Sequence, residues 1–188
     1  EKLMSETIDA INKNINILFV EGDTDAKNFK RAMELFSISG FTLQWVGSNG
    51  KSGPIFTGDK GLNSLYNAFI SNSNLLDRKK VVLFYDVDTN KKEENNGNLF
   101  VMCAKENSNE TIYKKGLENL LVLPSDFDRE KFKEKREETK DYGEKTIIEF
   151  FKKEKLCDFL CSLSDEKLKP IFENLRVELV KMKTFFEK

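Results

Sequence analysis

The sequence predicts an α/β protein: a mostly parallel central sheet flanked by helices, followed by a helical C-terminal tail. Three observations carry that prediction. The runs Ile17-Leu18-Phe19-Val20 and Val81-Val82-Leu83-Phe84-Tyr85 are apolar without alternation, as strands buried on both faces are. Strand-like and helix-like segments alternate through the first 125 residues. Beyond Pro124 the apolar spacing turns helical. The expected organisation is therefore a domain over 1–125 with a helical extension over 126–188 packed on it.

Taken in order, residues 5–15 read as a short helix with Ser5 as its N-cap. The first strand spans 16–20. A helix follows from Asp25 to Phe36, because Ala26, Phe29, Ala32, Met33 and Phe36 fall near i, i+3, i+4, i+7 spacing. Gly40 ends the connection, and Phe41 to Val46 reads as a second strand. Gly47 to Gly61 is a loop rich in Gly, Ser, Asn and Lys. Helical spacing resumes at Leu62, Leu65, Tyr66 and Phe69, a third strand spans 80–85, and 90–98 is a polar loop. Leu99 to Ala104 is a strand and Leu120 to Leu123 a further short one, stopped by Pro124. After that, Asp128 to Thr139 and Lys145 to Leu163 read as helices. Ser164 caps a last helix running toward Phe186, with a kink or restart at Pro170. No internal repeat is present.

Composition narrows the chemistry. Charged residues make up 34% and hydrophobic ones 39%, so a polar-surfaced globular domain is expected. The longest apolar stretches fall far short of a membrane span and no secretory pattern opens the sequence, so a cytoplasmic location is expected. The chain starts at Glu1 rather than Met, as a piece of a longer protein would. The net charge of −1 gives no global pull toward nucleic acid, although a local basic face or metal ions can supply one. Cys103, Cys157 and Cys161 suit a reducing compartment, and with no His they cannot complete a zinc site. The absence of His also removes Ser-His-Asp and Cys-His nucleophiles and His general bases. Carboxylates, lysines, hydroxyls and metal ions remain.

Both apolar runs end in acids. Glu21-Gly22-Asp23-Thr24-Asp25 follows the first and Asp86-Val87-Asp88 the second. Open parallel sheets bind ligands at the carboxyl ends of their strands, so both clusters belong at one rim. Gly22 permits a tight turn through which Glu21 and Asp25 converge, and Asp86 and Asp88 project to one side of an extended segment. Four clustered carboxylates repel one another unless a hard cation neutralises them. Mg²⁺ takes one or two carboxylates plus water and phosphate oxygens, and four acids could hold two ions. The competing reading of each cluster alone is a strand-to-helix turn or the start of a polar loop. A receiver-type phosphoacceptor also gathers acids at strand ends, but the paired Asp86 and Asp88 fit metal sharing better.

This pattern resembles the topoisomerase–primase (Toprim) domain over roughly residues 15–125. That family uses a glutamate and an Asp-x-Asp pair to hold Mg²⁺ for phosphoryl transfer, which here points to Glu21, Asp86 and Asp88. The Glu-x-x-x-Asp form that adds Asp25, with Lys115-Gly116-Leu117-Glu118-Asn119-Leu120, is most similar to the overcoming-lysogenization-defect nucleases and related defence effectors. The resemblance implies Glu118 as a further metal ligand and Lys145 as an assisting lysine. It implies one or two Mg²⁺ or Mn²⁺ ions as cofactors, cleavage of DNA or RNA, and a role in anti-phage defence. The sequence departs from those nucleases in carrying no ATPase half, so a separate ATPase or a second copy of the chain is the expected partner. The alternatives are a non-cleaving binding or sensor module, and a primase-type nucleotidyl transferase.

Two further segments were weighed. Gly47-Ser48-Asn49-Gly50-Lys51-Ser52 ends like a phosphate-binding loop, but only two residues separate its glycines. It reads better as a loop near the metal rim, from which Lys51 and Lys60 could reach a substrate phosphate. The tail residues Phe150, Phe151, Phe159, Phe172, Phe185 and Phe186 read as core or partner contacts rather than a base-stacking platform. An exposed Phe185-Phe186 pair would call for a covering partner.

Overall fold

The computed structural model describes residues 15–50, 53–55, 58–76, 78–110, 112–139 and 145–188. Its centre is a five-stranded sheet in the order β2-β1-β5-β7-β6. These strands are β1 (Ile17–Val20), β2 (Thr42–Trp45), β5 (Val81–Tyr85), β6 (Glu94–Asn96) and β7 (Leu99–Cys103). The pairs β1/β2, β1/β5 and β5/β7 are parallel, and only the edge strand β6 runs antiparallel. Every residue of β1 and β5 is buried, which explains their unbroken apolar runs.

Side-chain alternation sends these strands into two cores. Leu18, Val20, Val82, Phe84 and Met102 point to a face covered by α1 (Asp23–Leu35) and by three later helices. Those are α3 (Lys153–Ser162), α4 (Asp165–Ile171) and α5 (Glu173–Glu187). Ile17, Phe19, Val81, Leu83 and Tyr85 meet Leu62 and Phe69 of α2 (Gly58–Ser71) on the other face. Helices thus flank both sides of a sheet that is parallel apart from one edge. The C-terminal aromatics belong largely to this core: Phe172 is fully buried, and Phe185 and Phe186 stack on Phe100 and Phe41 at 5.0 and 4.7 Å. Phe159 is the exposed exception.

Several sequence expectations are corrected. Asp128 to Thr139 is not a helix: a 3₁₀ turn at Arg129–Phe132 leads into β8 (Lys133–Thr139). Its antiparallel partner is β9 (Lys145–Phe151), where the first third of a long helix was expected. The charged KEKREET run has helical propensity, but Lys145-Thr-Ile-Ile-Glu-Phe-Phe151 is rich in β-branched and aromatic residues, and cross-strand pairing overrides propensity. Leu120 to Leu123 is no strand either. Leu117–Leu120 forms a 3₁₀ turn, because β6 already occupies the free edge of β7.

The Gly47 to Gly61 loop contains a small antiparallel pair, β3 (Ser48–Gly50) and β4 (Gly53–Ile55), and α2 starts at Gly58. The last helix is broken at Phe172, where Val122 N–H donates to the Ile171 carbonyl at 2.9 Å. The expected helix over 5–15 falls, except for residue 15, outside the described residues, as does Lys51. Among the described residues no helix is long and apolar enough to cross a membrane.

Candidate metal centre

Because β1 and β5 are neighbours and parallel, the residues that follow them emerge side by side at one rim. Glu21 and Asp86 are locked there: Glu21 Oε1 accepts the Asp86 backbone N–H at 2.8 Å. The Glu21 carbonyl accepts Gly58 N–H at 3.0 Å, bringing the start of α2 to the same rim. Thr89 donates its backbone N–H and its hydroxyl to the Asp86 carbonyl at 3.2 and 2.8 Å, which holds the turn carrying Asp88. Asp88 is exposed, and its Oδ1 accepts Gly116 N–H at 3.2 Å.

Two cavities share Glu21, Gly58, Asp86 and Lys153. The larger, about 710 Å³, also takes in Asp59, Asn63, Asp88, Lys91 and Lys115; the smaller, about 250 Å³, takes in Asp25 and Trp45. A roomier groove of about 920 Å³ lies between α1 and β2, but none of the rim carboxylates Glu21, Asp86 and Asp88 lines it.

Asp25 and Glu118 sit behind this rim, 4% and 3% exposed. Asp25 Oδ2 accepts Gly22 N–H at 2.8 Å, an N-terminal cap on α1, while Asp25 Oδ1 is buried with no partner among the described residues. A carboxylate at a helix start gains about 0.3–1 kcal/mol, whereas burying a charge costs several kcal/mol unless it is paired. Capping alone therefore does not account for a buried acid at this position. Glu118 meets Lys153 Nζ at 2.9 Å, so it serves as that lysine's counterion and does not line either cavity. The loop that delivers it is fixed by Glu110, which accepts two backbone N–H groups and pairs with Arg129 at 3.1 Å, and by Asn119, which bonds Asn107 N and Tyr113 O.

The expected lysine is displaced. Lys145 opens β9, is exposed and pairs with Glu137 across the hairpin at 3.0 Å; it does not line the rim. Lys153, at the first turn of α3, takes the position instead. The misread helix over 145–163 hid this, since a chain break before Lys153 is what aims it back at the sheet. Asp59 and Asn63 were also missed; the signal available was an acid at the head of the second helix, beside the same rim. Lys60 is exposed on α2 and does not line the cleft, whereas Lys91 and Lys115 do.

Charge at the rim is unbalanced. Burial, then Asp25 and Glu21, pushes the Asp86 carboxyl up to about 9 against the opposing pull of Lys153. Burial followed by Glu118 raises Asp25 to about 7. Burial also raises Glu21, partly offset by the Asp86 N–H. Lys153 loses solvation, yet Glu118, Asp25 and Asp86 together hold it protonated.

Among the described residues, no group of three or more acids or cysteines is arranged to hold a metal ion. A dehydrated protein cage is thus not preformed. The donor set does suit a hydrated hard cation, which needs only one or two carboxylates and fills its remaining positions with water. All candidate ligands are oxygens, and Asp25 Oδ1 lacks a partner.

Gly116 closes the arrangement. It has φ +71°, and a Cβ there would lie 2.5 Å from both Glu118 Oε2 and Lys153 Nζ. Gly116→Ala is expected to destabilise by about 2–4 kcal/mol, from backbone strain plus separation of the buried pair. A chemical denaturation midpoint equal to the parent's would refute that tight approach.

No family model, no curated protein and no solved structure matches the chain, so its function is read from its own residues.

Proposed function

We propose that the chain is a Mg²⁺- or Mn²⁺-dependent nuclease that hydrolyses phosphodiester bonds of DNA or RNA on a Toprim-like domain. The observation that carries the reading is the junction of two neighbouring parallel strands, where Glu21 reaches across to Asp86 N–H in an acidic, open cleft. Glu21, Asp86 and Asp88 would hold the cation, with Asp25 behind them. When bound, such an ion polarises the phosphate and lowers the pKa of an attacking water. The protein's own part is positioning and charge. Glu21 is oriented by its bond to Asp86 N–H, and Asp88 by Gly116 N–H. Lys153 supplies a fixed positive charge within the same cleft, where developing negative charge on a phosphate is stabilised. Lys91 and Lys115 at the wider mouth suit contacts with flanking phosphates.

Incubation with supercoiled plasmid and with tRNA, in Mn²⁺ and in EDTA, tests this directly. Metal-dependent nicking or fragmentation is the expected result. No cleavage of either substrate, with metal-dependent binding retained, would favour the second reading of a non-cleaving binding or sensor module. The lack of a preformed three-acid cage is what favours that reading.

Cation binding also has a signature in stability. Carboxyls held above their ordinary range stabilise the fold when protonated; that contribution is complete near pH 4 and is lost as pH rises through about 7 for Asp25 and about 9 for Asp86. The metal-free protein should therefore have a lower Tm at pH 9 than at pH 5. Saturating Mn²⁺ should restore about 2–3 kcal/mol at the higher pH and little at the lower. Equal Mn²⁺ shifts at both pH values would exclude these acids as the ligands.

A further inference from the structure

Away from the carboxylates, two thiols sit one turn apart on α3, and the first of them rests on the head of α1. Cys157 is 1% exposed, with Sγ 3.7 Å from the Thr24 carbonyl oxygen, one residue before Asp25. Cys161 is half-buried and shares a side-chain hydrogen bond with Cys157. The charged groups facing Cys161 are Arg31 and Lys27 of α1 and Asp158 of α3; Arg31 is also paired with Asp165.

We propose that Cys157 and Cys161 are a redox pair: Cys161 is the residue oxidised by a hydroperoxide, and Cys157 is the thiol that resolves it. The Cys161 thiolate attacks the terminal oxygen of the hydroperoxide, the O–O bond breaks, and the alkoxide leaves and is protonated to the alcohol. Cys161 is then a sulfenic acid. The Cys157 sulfur attacks it, an S–S bond forms, and hydroxide departs with the Cys157 proton as water. The two thiols give up two electrons, which reduce the hydroperoxide.

The surroundings divide the roles. The bond from Cys157 and the nearby Arg31 lower the Cys161 thiol, and accepting that bond keeps the Cys161 sulfur the more anionic of the two. Burial raises Cys103, the third cysteine, whose Sγ donates to the Asp86 carbonyl at 3.3 Å. Closure of the bond has a structural consequence. Residues four apart on a helix hold their Cβ atoms about 5–6 Å apart, while a disulfide needs about 3.5–4.5 Å. The end of α3 must therefore unwind, drawing Cys157 away from Thr24 on the same helix that carries Lys153. Reversible oxidation would in this way loosen the seam between α1 and α3.

The test uses the full chain and is independent of any cleavage assay. Reduced protein is treated with stoichiometric tert-butyl hydroperoxide and mapped by peptide mass spectrometry, and alkylation by iodoacetamide is followed at each cysteine. Cys161 should alkylate about tenfold faster than Cys103 at pH 7, and the oxidised product should join Cys157 to Cys161. Cys157→Ser should stop at a sulfenic acid on Cys161 that dimedone traps. Hydrogen exchange over residues 23–27 should rise on oxidation and return with dithiothreitol. First oxidation at Cys103, or wild-type protein that halts at the Cys161 sulfenic acid, would overturn the pair. Unchanged exchange in protein shown to be cross-linked would overturn its link to α1.

Discussion

Replacing Asp86 with Asn should reduce Mn²⁺-dependent cleavage by about a thousandfold or more while raising the thermal stability of the metal-free protein. The two effects have one cause. Asp86 is 8% exposed and faces Asp25, Glu21 and Glu118, so its charge is costly until a cation shares it. Asn preserves shape and keeps the backbone N–H on which Glu21 depends. A gain of about 1–3 kcal/mol at pH 8 is expected, since each unit of displaced pKa corresponds to about 1.4 kcal/mol and coupling among the acids shares out the total. Asp88→Asn should also abolish cleavage, but without the gain, because Asp88 is exposed. Wild-type cleavage rates from the doubly substituted protein would end the catalytic assignment, and a large loss of Tm in Asp86→Asn would show that the acid is structural.

Lys153→Met should destabilise the protein by about 2–4 kcal/mol, and Glu118→Gln in the same chain should recover most of that loss. Lys153 is the cation that meets Glu118, a carboxylate 3% exposed, at 2.9 Å. Removing one member of such a pair leaves an uncompensated buried charge, which costs far more than the pair itself contributes. The recovery in the double variant separates a charge effect from lost packing by the lysine stem, and a four-way denaturation cycle measures it. Additive losses would mean that the two side chains act independently. Cleavage should stay low in both variants, because neutralising Glu118 restores the fold but not the positive charge at the rim. Recovered cleavage in the double variant would exclude Lys153 from phosphate stabilisation.

Misreadings of the chain cluster where local pattern and tertiary pairing disagree. Lys133 to Thr139 carries no apolar residue at all, so nothing within it announces a strand; it is one because Lys145 to Phe151 lies beside it. Placing the site lysine depended on that same hairpin. A continuous helix from Lys145 puts Lys145 at a helix start near the rim, whereas the observed chain makes a hairpin first and begins its helix at Lys153. Glu118 was found by its position within Lys115–Leu120, but its burial and its pairing with Lys153 lie beyond what spacing conveys.

The sequence by itself determined the layered α/β class and the parallel core strands, because continuous apolar runs bounded by acids are a local property of the chain. It also determined that any chemistry must proceed without histidine. Only the tertiary structure decided that β1 and β5 are adjacent, that Glu21 reaches across to Asp86, and that Lys153 is the cation among the acids. Strand order and the meeting of residues more than sixty positions apart depend on how long-range burial resolves, and no short window of sequence encodes that. The electrostatic imbalance at the rim follows from the same fact, since a carboxylate's cost is set by which distant groups surround it and how much water they exclude.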